Sequence, residues 1–97
     1  MDDGSHTEAM IVVVEGRVQG VSFRAWTQTE ARDRGVRGWV RNRADGSVEA
    51  RLEGTADALS ALVEAMRRGP PAAKVTRLET RPVAPSGART FDIGETA

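Results

Sequence analysis

Residues 15–24 read EGRVQGVSFR, which places two arginines and two glycines where an apolar run, Met10 to Val14, should turn into a helix. Gly16 and Gly20 allow successive backbone N–H groups to converge on one point, a nest suited to an anion. The first turn of a helix carries roughly +0.5 of an elementary charge on its unpaired N–H groups, so acids are welcome there and arginine is not. With Ser22 as the N-cap, Arg24 stands at the second helical position, and the first acid of the helix is Glu30. Each exposed mismatch of this kind costs about 0.3–1 kcal/mol. A bound anion would turn the penalty into an attraction, and the planar fork of Arg24 matches phosphate or carboxylate oxygens. From spacing alone, an ordinary strand-to-helix turn, which also wants glycine, stands beside the anion site as an alternative. The Gly-Lys-Ser/Thr ending of a Walker loop is absent, as is the GxGxxG dinucleotide pattern.

Composition removes most other chemistry. The 97 residues contain no cysteine and one histidine, His6. Cys/His zinc sites, Ser-His-Asp triads and Cys-His pairs are thereby excluded, and no metal and no cofactor are expected. Ser22 has no base to activate it and is expected to cap the helix instead. Basic and acidic residues balance at 14 each. A general nucleic-acid or membrane-surface role would favour a net basic chain, so neither partner is expected. No apolar run approaches the ~20 residues needed to span a bilayer. The opening stretch, MDDGSHTEA, lacks the apolar segment of a signal peptide. A cytoplasmic monomer acting on a small molecule is expected.

The elements that must position the loop follow from periodicity. Residues 1–8 are expected to be a flexible lead-in, and 9–97 a single domain. Met10 to Val14 predicts a central strand. Ser22 to Arg34 predicts a helix with Phe23, Trp26 and Ala31 toward the core, stopped by Gly35. Val36 to Arg43 and Val48 to Gly54 predict a hairpin across Asp45-Gly46. In its second strand Val48, Ala50 and Leu52 face in, and Glu49, Arg51 and Glu53 face out. Thr55 caps a second helix with an apolar stripe from Ala56 to Met66, ended by Gly69, Pro70 and Pro71. Lys74 to Arg81 predicts a fourth strand, Pro82 to Gly87 a loop, and Thr90 to Ile93 a possible short last strand.

The order β-α-β-β-α-β, with right-handed crossovers, predicts a ferredoxin-like α+β two-layer sandwich. Its sheet has antiparallel order 4-1-3-2, with both helices on one face. The first two strands then end at the same rim of the sheet, roughly 10 Å apart across two strand spacings. Asn42, at the end of the second, shares the inward register of Val40 and should point toward the helix start. Trp39 lies on the open face, where Arg37 and Arg41 could cover it. This topology also serves RNA-binding domains, but Val12, Val14, Glu49 and Arg51 on the central strands offer no stacking aromatics.

Three blocks in order, GRVQGVSFR (16–24), GVRGWVRNRADGSVEARLEG (35–54) and GPPAAKVTRLE (69–79), resemble the acylphosphatase family over roughly residues 9–93. The resemblance implies a small ferredoxin-like enzyme that hydrolyses the carboxyl–phosphate bond of acyl phosphates. It implies that Arg24 grips the substrate phosphate, that Asn42 holds the attacking water, and that backbone amides of Gly16, Arg17, Val18, Gln19, Gly20 and Val21 surround the phosphate. The C-terminal RTFDI is only loosely similar to the family's last strand, which leaves the length and pairing of that strand open. Phosphoryl transfer asks mainly for positioning and charge stabilisation, so the reaction is coherent without histidine, cysteine or metal.

Overall fold

The computed structural model describes residues 6–97; the expected lead-in falls largely outside the described residues. Strand β1 (Glu8–Arg17) leads to helix α1 (Phe23–Asp33), then to the hairpin β2 (Arg37–Asn42) and β3 (Val48–Gly54). Helix α2 (Ala56–Arg68), strand β4 (Lys74–Val83) and strand β5 (Phe91–Ile93) follow. The sheet order is β4-β1-β3-β2-β5. The first four strands are antiparallel neighbours, as expected for the ferredoxin-like arrangement. The short β5 departs from that pattern by adding parallel to β2.

Alternation in β1 and β3 turns Val12, Val14, Val48, Ala50 and Leu52 toward the helices, where all five are fully buried. Helix α2 covers them with Leu59, Leu62 and Met66, and the Thr55 side chain caps it by accepting from the Ala58 N–H. Helix α1 contributes Phe23 and Ala31. Trp26 faces the core with them as expected, packing against it half-buried, 5.5 Å from the Phe23 ring, while Thr27 takes a fully buried position. On the open face of the sheet, β1 presents Ile11 and Val13, opposite Arg51 and Glu49. Val12 and Val14 therefore belong to the core and not to that surface. Arg41 lies 4.6 Å over the Trp39 ring and covers it.

Two expectations near the chain's end are corrected. Pro82 pairs with Met10 inside β4 instead of opening a loop; β4 is an edge strand, where a proline whose nitrogen faces outward removes no ladder bond. Glu53 follows the outward alternation, yet it is only 1% exposed. The segment that leaves β4 must cross to β5 at the opposite edge, and it passes over the end of β3. There the Ser86 hydroxyl and the N–H groups of Ser86, Gly87 and Ala88 donate to the Glu53 carboxylate, joined by Arg51 at 2.8 Å. Burial alone would raise the pKa of Glu53, but the bonds from Ser86, Arg51 and Ala88 outweigh it and hold the carboxyl down at about 2.

The folded-state pKa of Glu53 lies below its unfolded value. Its contribution is therefore present above about pH 4.3 and is lost as pH falls toward the folded value. Glu53→Gln should cost about 1.5–3 kcal/mol at neutral pH, the range for hydrogen bonds to a charged group. Urea unfolding as a function of pH checks this: the wild type and the variant should converge as pH approaches 2, and a constant gap would contradict it.

Candidate active site

The link from β1 to α1 is built by three local devices. Strand β1 bulges between Glu15 and Gly16. Gly16 adopts φ 122°, and a Cβ there would stand 2.2 Å from the Lys74 carbonyl oxygen, so only glycine lets the two backbones approach. Val18, 1% exposed, plugs the core beneath the loop. The Gln19 side chain reaches the hairpin, where its Nε2 donates to the carbonyls of Arg43 and Ser47 at 2.9 Å each. The hairpin is itself braced, since Asp45 accepts from the Ser47 N–H at 2.9 Å and from the Ser47 hydroxyl at 2.6 Å. Those bonds hold the Asp45 carboxyl below the usual range.

Gly20 and Ser22 then both turn left-handed, at φ 73° and 64°. Ser22 was expected to cap α1. It occupies the N-cap position, but its left-handed backbone comes with no side-chain capping bond, and no acid stands in the first turn. The first helical bond runs from the Trp26 N–H to the Ser22 carbonyl. The N–H groups of Phe23, Arg24 and Ala25 precede it and have no acceptor within the helix.

These groups open on a cleft of about 360 Å³ lined by Val18, Gly20, Ser22, Phe23, Arg24, Ala25, Asn42 and Ile93. Arg24 and Asn42, carried by different elements and 18 positions apart in the chain, thus share one hollow at the rim of the sheet. Among the described residues Arg24 enters none of the ion pairs. Asn42 closes β2 opposite Val48, and its backbone carbonyl accepts from the Ala97 N–H at 2.9 Å. Its side-chain Oδ1 is buried with no hydrogen-bond partner among the described residues. A buried acceptor at a cleft is suited to a donor from solvent or ligand, such as water. An uncapped helix start, a guanidinium in no ion pair among the described residues and a buried side-chain carbonyl can bind an anion and hold a water beside it.

Of the other residues expected around the anion, Val18 and Gly20 line the cleft. Gly16 faces a second hollow shared with Asp45 and Ser47. Arg17 ends β1, exposed and paired with Lys74. Val21 packs half-buried against the core. Sequence reasoning missed the Gln19 tether, which has no periodic signal, and Ile93, whose place depends on the pairing of β5.

Residues 10–93 match the family model Acylphosphatase. A Rhizobium etli protein named acylphosphatase is 56% identical over 75 residues, which cover 77% of this chain and 80% of that protein. A Nitrobacter hamburgensis acylphosphatase is 52% identical over 84 residues, covering 87% and 85% respectively. The crystal structure of acylphosphatase from Bacillus subtilis superposes with a TM-score of 0.88 at 42% identity, covering 90% of this chain and 98% of the other.

The tether makes a separate prediction. Gln19→Leu removes both bonds to the hairpin and should destabilise the chain by about 1–2 kcal/mol, since each carbonyl keeps a second partner. Chemical unfolding measures the loss, and amide exchange should quicken in residues 19–22; unchanged exchange there would argue against the tether.

Proposed function

This chain belongs to the acylphosphatase family and hydrolyses acyl phosphates to a carboxylate and inorganic phosphate, and we propose that it does so in the cleft between the β1–α1 loop and the end of β2. The observation that carries this reading is the pairing, in one hollow, of an Arg24 without a carboxylate partner among the described residues and a buried Asn42 Oδ1 without a donor. The substrate phosphate lies against the loop amides from Val18 to Val21 and the start of α1, while Gly16 and Arg17, expected beside it, stay in the β1–β4 pairing; Arg24 grips two of its oxygens. Asn42 accepts a hydrogen bond from water and aims the water's lone pair at phosphorus. Its carboxamide is neutral and takes no proton. The water oxygen bonds to phosphorus, the bond from phosphorus to the acyl oxygen breaks, and the acyl group leaves as carboxylate. One hydrogen of the water stays on the oxygen now bonded to phosphorus and the other passes to a phosphate oxygen, so both leave with the inorganic phosphate.

Catalysis of this kind rests on positioning and on neutralising the transferring group, and the leaving carboxylate needs no acid. Among the described residues no three His, Cys, Asp or Glu side chains gather to hold a metal ion. The proposed scheme uses only amides, Arg24 and Asn42. The cytoplasm as compartment and a monomer as working unit, both expected from the sequence, remain part of this proposal.

Benzoyl phosphate hydrolysis by the purified chain is the direct assay. Arg24→Ala should abolish both turnover and calorimetric binding of inorganic phosphate. Asn42→Ala should cut turnover by on the order of 10²–10³ while phosphate still binds. The reverse pattern, with phosphate lost in the asparagine variant and kept in the arginine variant, would exchange the two roles. Turnover should also survive an excess of chelator; loss that added metal restores would refute the scheme.

A further inference from the structure

Ile93 is the only large hydrophobic side chain exposed among the described residues, at 42%, and it lines the cleft with Arg24 and Asn42. An isolated exposed isoleucine is ordinary. This one is placed by a rigid frame. Phe91 and Ile93 lie on the same face of β5, two residues apart. Phe91 enters the core, 1% exposed, and its carbonyl accepts from Gln28 at 3.0 Å and Arg32 at 3.1 Å, both on α1. The Gly94 N–H donates to the Val40 carbonyl at 2.8 Å just past Ile93. The strand is thus pinned on both sides of Ile93, and the isoleucine emerges toward the helix layer at the start of α1.

The cleft has two characters. Its inner wall is cationic and rich in N–H donors; Ile93 supplies an apolar surface beside it. An acyl phosphate has the same two characters, a phosphoryl end and an acyl end joined by one oxygen. We propose that Ile93 is the footing for the acyl group, and that this chain favours acyl phosphates whose acyl group is apolar, aromatic or branched, over those with a small one. The inference rests on the cleft being the hydrolytic site. Covering an exposed isoleucine with an apolar group gains free energy in proportion to the area removed from water. In an open cleft this is a modest preference, below the discrimination of an enclosed hydrophobic pocket.

The test compares benzoyl phosphate with acetyl phosphate in the wild type, Ile93→Ala and Ile93→Leu. The alanine variant should lose roughly three- to tenfold in kcat/KM for benzoyl phosphate, through KM. Acetyl phosphate should stay within about twofold, and inhibition by inorganic phosphate should not change. Leucine, which keeps the apolar area, should restore the preference. An unchanged ratio of the two substrates in the alanine variant would overturn the inference, as would an equal loss on both through kcat, which would assign Ile93 to water exclusion. Wild-type turnover that survives Arg24→Ala and Asn42→Ala would instead overturn the placement of hydrolysis in this cleft.

Discussion

The positive end of α1 is kept without a counter-charge, and the rest of the structure accommodates that constraint. Most helices of this length would end in a capping side chain and an acid. Here Ser22 turns left-handed and does not cap, no acid occupies the first turn, and Arg24 adds charge of the same sign. A forgone cap costs about 1 kcal/mol, and the arginine about 0.3–1 kcal/mol. Together these come to about 1.3–2 kcal/mol, against about 5–15 kcal/mol of stability for a whole domain. A chain can hold so costly an arrangement only if its surroundings leave the local backbone no cheaper conformation.

Those surroundings act from three sides. Val18 is driven into the core, which fixes the middle of the loop by burial. Gly16 lets β1 press against β4, which fixes where the loop begins. Gln19 reaches across to the hairpin, so the loop and the strand end carrying Asn42 are joined by hydrogen bonds as well as by the sheet. The separation between the proposed anion cradle and the Asn42 side chain therefore depends on side-chain and packing contacts made away from the cleft.

Legibility in the sequence followed the range of the interactions. Strand β3 and helix α2 were readable to the residue or nearly so, because period-two alternation and a Thr cap followed by an apolar stripe are local signals. The topology followed from element order, and it brought Arg24 and Asn42 to one rim before any coordinates. Two of the misreadings come from long-range contact. Pro82 is a different case: the expected order already put the fourth strand at an edge, where a proline is tolerated, and the residue still looked like a strand end. Glu53 looked exposed because the segment that buries it lies more than thirty residues away. Ser22 looked like a cap because Ser usually is one, and only the path imposed by Gly20 and the core beneath it turns its backbone left-handed.

The buried Glu53 shows how the same chemistry serves two ends. At the end of β3, main-chain N–H groups from Ser86, Gly87 and Ala88, with the guanidinium of Arg51, surround a carboxylate the chain itself provides. At the rim beside α1, the start of the helix and Arg24 line a cleft with no acid in the first helical turn. The difference between scaffold and candidate site is whether the chain supplies its own anion. The filled nest fixes the crossing segment that carries β5 to the edge of β2, and β5 forms part of the wall of the open one. An acid introduced at the start of α1 would convert the second nest into a copy of the first: it would stabilise the fold while closing the cleft to any anionic substrate. In the proposed reading stability and binding compete for the same donors, and α1 carries no acid before Glu30 to take them.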